Sequence, residues 1–131
     1  MTATDADLSA RIDVIERGYE YLLAYAAQGR QEDSGSEARV TLEAIYSALD
    51  ALRPAAVKAL TNAPSSQQYD LEPFLDALER DARTARSAIG LALSRPSISS
   101  MLVDNLNASV HLRALLTDVF LLEQALKVSQ P

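Results

Sequence analysis

Asp104, His111 and Asp118 follow one another at intervals of seven residues, in a stretch whose apolar spacing predicts a helix. His111 is the single histidine of the chain. A histidine flanked by acids is material for acid/base catalysis or for phosphoryl acceptance. Seven residues make two helical turns, about 10.5 Å along the axis, so the three side chains do not touch. Asn107, one turn before His111, is the residue that reaches it. The row therefore reads as a solvated edge between two apolar stripes, with His111 kept as a speculative phosphoacceptor.

Other chemistry fails on residue count. The stretch NASVHLRALL sets Arg113 two residues after His111 but lacks the small residues that phosphotransfer bundles place after their histidine. A di-iron carboxylate bundle needs two Glu-x-x-His pairs, and a zinc site needs several ligands, which one histidine cannot supply. The chain has no cysteine, hence no disulfide framework, no thiolate ligand and no covalent haem attachment. Its four glycines are isolated, so no phosphate-cradling loop is present, and no strained serine elbow occurs. The expectation is a protein with no catalytic residue, no metal and no cofactor. Arg80, Arg83 and Arg86 form a basic row, with Asp76 before Arg80 and Glu79 before Arg83 in the favourable acid-first order, and read as a salt-bridged solvent face.

The elements that carry these residues are helical. The 131 residues are a single-domain length, and the abundance of Ala and Leu over β-branched residues favours helix. The first predicted helix covers residues 5–28, with Gly29 as its left-handed cap. The second covers residues 36–61, opened by a Ser34/Glu37 capping box and kinked or broken near Pro54, which removes one backbone donor. The stretch NAPSSQQYD reads as a loop. Asp70 caps the third helix, with Pro73 tolerated in its first turn, and Pro96 ends it. The fourth covers residues 97–127. Their apolar faces recur at helical spacing, including Leu42, Ile45, Leu49 and Leu52 on the second helix and Leu75, Leu78, Ala82 and Ile89 on the third. The simplest assembly is all-α, an antiparallel four-helix bundle in one domain.

Two helices carry more apolar surface than one buried face needs. In the first, Leu8, Ile12, Ile15, Tyr19 and Leu22 form one stripe, while Val14, Gly18, Tyr21 and Tyr25 form another. In the fourth, Met101, Ala108, Leu112, Leu115, Val119, Leu122 and Leu126 form one stripe. Val103, Leu106, Val110, Thr117, Leu121 and Val128 form the other, about 200–220° away. The second stripes predict an interface at Val14, Gly18, Tyr21, Tyr25, Val103, Leu106, Val110 and Leu121. The expected function is that of a non-enzymatic interaction module, an adaptor, regulator or chaperone-like subunit, which pairs as a homodimer and holds a further protein. A small-molecule site lined by Tyr19, Tyr21 or Tyr25 is the alternative reading besides phosphotransfer. The formal charge of −6 argues against nucleic acid and anionic membranes as partners. The absence of an apolar signal core points to the cytoplasm.

Overall fold

Alternating helix-favouring runs and short polar breaks give, in the computed structural model, a chain that is helical throughout its regular structure. The structure describes residues 6–63 and 68–128, the side chain of Val128 excepted. The expected helix start at Asp5 and residues 64–67 of the NAPSSQQYD loop lie outside the described residues. Among the described residues there are six helices and no strand: α1 (Ala6–Ala26), α2 (Ala38–Leu49), α3 (Leu52–Thr61), α4 (Glu72–Leu93), α5 (Ser100–Ala108) and α6 (Val110–Val128). The four predicted segments are corrected accordingly, because the second and the fourth are each divided in two.

The first division falls at Asp50–Ala51. Asp50 is extended (ψ 135°) and Ala51 is left-handed (φ 57°), so the chain leaves α2 and restarts as α3. Pro54 then becomes the third residue of α3, where its missing N–H would have had no intrahelical acceptor. Breaking the helix four residues early is how the fold accommodates this proline. A left-handed alanine costs roughly 1–2 kcal/mol that glycine avoids, against the extra flexibility glycine gives the unfolded chain. Ala51→Gly is therefore expected to stabilise the protein by about 0.5–1 kcal/mol, read as a higher urea midpoint; a lower midpoint refutes the strain.

The second division falls at Ser109 and involves neither Gly nor Pro. Ser109 is extended (ψ 143°), its N–H and Oγ both turn back to the Leu106 carbonyl, and its Oγ also accepts from the Leu112 N–H at 3.3 Å. One serine thus ends α5 and caps α6.

Elsewhere the caps follow local chemistry. Gly29 is left-handed after α1, as expected. The Asp70 carboxylate accepts from Glu72 N–H at the start of α4, and Ser99 Oγ accepts from Leu102 N–H at the start of α5. The Ser34/Glu37 capping box does not form: Ser34 Oγ turns to Glu32, and Ser36 Oγ accepts from Ala38 N–H instead. α1 packs on α2, α3 and α5, whereas α4 packs on α2, α3, α5 and α6. The apolar spacing expected of the second and third segments reaches the core: Leu42, Ile45, Leu49, Leu52, Leu75, Leu78, Ala82 and Ile89 are all buried.

Candidate functional site

The second stripe of α1 is covered by its own chain. Gly18 is buried against α2, where a Cβ would stand 2.6 Å from Ile45 Cδ1 and 2.7 Å from Cγ1. Glycine lets the two backbones approach here. Tyr21 is half-buried and its hydroxyl accepts from the Glu37 N–H at 3.0 Å. Tyr25 is fully buried; its hydroxyl donates to the Ile98 carbonyl at 2.6 Å, and its ring stacks on that of Tyr21. Val14 is the exposed member of this stripe, at 36%.

Around Tyr25 the hydrogen bonds tie three segments together. Ser100 Oγ donates to the Tyr25 carbonyl and accepts from Arg30 N–H, while Ser100 N–H donates to the Arg30 carbonyl. Ile98 N–H donates to Asp33 at 2.7 Å, which holds that carboxyl below its ordinary range. The expected interface at Gly18 and Tyr25 is thereby corrected to intrachain packing.

The same holds for half of the fourth predicted helix, because the break at Ser109 exchanges the stripes. Before it, on α5, Val103 and Leu106 are buried while Met101 is 73% exposed. After it, on α6, Leu112, Leu115, Val119, Leu122 and Leu126 are buried, while Val110 and Leu121 are 69% and 60% exposed. The expectation of an interface at Val103 and Leu106 is corrected: both face the chain's own core. Of the predicted positions on this segment, Val110 and Leu121 present an apolar side chain to solvent.

Those two belong to a longer row. Val110, Ala114, Thr117 and Leu121 succeed one another at intervals of four, three and four. They lie at about 200–260° from Leu115 around α6, opposite the core-facing leucines. Phe120, also partly exposed, borders the row. Ala114 was not among the expected positions, and the alternating three- and four-residue spacing is the signal that finds it; Phe120 lies off that spacing. His111 is exposed on the same helix, and Asn107, expected to reach it, is instead buried with its amide donating to the Leu22 carbonyl of α1.

The flanks of α6 carry acids. Asp118 faces Asp81 of α4, and one Asp118 oxygen is buried without a hydrogen-bond partner. Burial first, then hydrogen bonding and repulsion from Asp81, push the Asp118 carboxyl up to about 7. On the other flank Glu123 reaches Glu16 of α1; the hydrogen bond between them, followed by burial and repulsion, raises Glu16 to about 7. No spacing in the sequence announces these pairs, since each joins two helices.

The arginine row is divided as well. Glu79 and Arg83 pair at 3.5 Å, but Asp76 and Glu79 also hold Arg53 of α3, together with Glu72. Arg86 lies 3.8 Å over the Tyr46 ring and donates to the Tyr46 carbonyl, pinning α4 to α2. Among the described residues no group of three or more His, Asp or Glu could hold a metal ion, and no helix is long and apolar enough to cross a membrane. No protein family, curated protein or solved structure matches this chain.

Proposed function

We propose that the protein is a non-enzymatic helical interaction module that pairs with a second copy of itself through the outer face of α6. The observation that supports this is the row Val110–Ala114–Thr117–Leu121, spaced as a helix–helix seam and facing directly away from the core. An exposed seam of this kind is self-complementary: a two-fold mate covers it with the same residues and leaves no row over. Small Ala114 and Thr117 between larger Val110 and Leu121 allow close approach of two helices, and Phe120 supplies an aromatic edge of the sort that anchors interfaces. A further protein would then be held by the paired form.

Sedimentation velocity over a concentration series tests the reading. The native chain is expected to sediment as a dimer, and Leu121→Glu is expected to weaken pairing by roughly ten-fold or more, because a carboxylate would be desolvated in the seam. Val40→Glu, an exposed position on α2, is the surface-charge control and should leave pairing unchanged. A native chain that stays monomeric at every concentration, or equal effects of Leu121→Glu and Val40→Glu, overturns the proposal.

A further inference from the structure

Arg86 of α4 is a cation whose position is fixed and whose charge is unanswered. Its guanidinium carbon lies 3.8 Å from the centroid of the Tyr46 ring, and its Nε donates to the Tyr46 carbonyl at 3.0 Å. These two contacts set the plane and orientation of a part-buried fork before any ligand arrives. They leave both terminal nitrogens over. Among the described residues neither of these has a hydrogen-bond acceptor, and no carboxylate pairs with Arg86. A guanidinium drawn partly out of water with its donors unspent is the arrangement that a bound anion stabilises.

Arg86 borders a cleft of about 190 Å³ between the α2–α3 break and α4. Leu49, Ala51, Leu52, Pro54 and Ala82 supply its apolar wall. The other charges around it are largely spent on one another. Arg53 is held by Glu72, Asp76 and Glu79. Arg83, one turn before Arg86, pairs with Glu79 at 3.5 Å and stands at the rim, 79% exposed. Asp50 is the remaining acid of the cleft.

We propose that this cleft binds the carboxylate of a small organic acid, gripped by the terminal nitrogens of Arg86. The planar fork of a guanidinium meets a carboxylate through two parallel charge-assisted hydrogen bonds. One unspent cation beside an apolar wall suits one negative charge carried on an apolar body. A second negative charge would be repelled by Asp50 and Glu79, so a monoanion is preferred over a dianion. The volume is below the roughly 300–1,000 Å³ of pockets that take drug-sized ligands, which limits the occupant to a small acid. The cleft lies away from α6, and its occupation does not depend on the pairing proposed for that helix.

Titration of the isotope-labelled full chain with benzoate, followed by amide chemical shifts at an ionic strength fixed with chloride, tests the site. Saturable shifts confined to residues 49–54 and 82–86 are expected, with a Kd on the order of 1 mM or tighter. Arg86→Lys keeps the charge but loses the fork, and should weaken binding roughly ten-fold or more. Arg86 also joins α4 to α2, so the fold of this variant is checked by circular dichroism. Arg83→Gln gives a second reading at an exposed position, with a weakening of roughly two- to five-fold expected from the lost rim charge. Arg80→Gln, on the same helix but outside the cleft, should change nothing. Acetate, which lacks the apolar body, and inorganic phosphate, which carries more charge, should each bind roughly five-fold more weakly or worse than benzoate. Shifts that never saturate or that spread over the whole surface overturn the proposal. So does phosphate binding tighter than benzoate, or benzoate binding unaltered in the folded Arg86→Lys and Arg83→Gln variants.

Discussion

Tyr25→Ala is expected to remove roughly 4–5 kcal/mol of stability, a large share of the 5–15 kcal/mol typical of a domain. The ring is fully buried, so its truncation leaves a cavity in a close-packed interior. Its hydroxyl also closes the Ile98 carbonyl at 2.6 Å, so truncation leaves a buried acceptor open. Tyr25→Phe separates these contributions, because it keeps the ring and loses the hydroxyl; about 1–3 kcal/mol is expected from that alone. Urea denaturation followed by circular dichroism measures both. A loss under about 1 kcal/mol for the alanine variant would mean that Tyr25 is not the pin between α1 and the segment entering α5. The loss should be independent of protein concentration, which an interfacial tyrosine would not give.

Gly18→Leu is expected to cost about 3 kcal/mol or more, from overpacking rather than from a void. Even the first added carbon would stand 2.6 Å from Ile45 Cδ1 and 2.7 Å from Cγ1, and Ile45 is itself buried. Gly18→Ala makes the point with a smaller change. Alanine is worth about 1 kcal/mol over glycine in a helix interior, so an unobstructed site would be stabilised. Here the contact is expected to reverse the sign. Combining Gly18→Ala with Ile45→Ala, which removes both crowding carbons, should cost about 1 kcal/mol or more less than the sum of the single changes. A stabilised Gly18→Ala variant would refute the close approach of α1 and α2.

The apolar periodicity determined a good deal by itself. It placed the helical regions, as four segments where the structure has six, and most of their core positions, while residue types at the helix ends gave the left-handed Gly29 and the Asp70 carboxylate at the start of α4, because these depend on neighbours within a turn or two. It also marked a discontinuity near Pro54, since a missing N–H is a local fact. What it could not determine was which neighbour covers a given face. Tyr21 and Tyr25 form a distinct stripe, as their angular separation from Tyr19 requires, yet the contacts that cover them come from residues 37 and 98.

Ser109 is the sharpest case. Periodicity across residues 97–127 is continuous with either apolar stripe, and a serine in a helix signals nothing decisive. The tertiary structure breaks the helix there, buries one stripe before the break and the other after it, and so turns an apparent two-sided helix into two one-sided ones. The acid pairs Asp81–Asp118 and Glu16–Glu123 were equally invisible, because like charges far apart in sequence carry no local signal until packing brings them together. Local residue chemistry, then, specified which regions are helical and where their apolar stripes run, through interactions that reach one turn. Which stripe each helix buries, and which row is left on the outer face of α6, was decided by packing between helices, through contacts with no fixed sequence spacing.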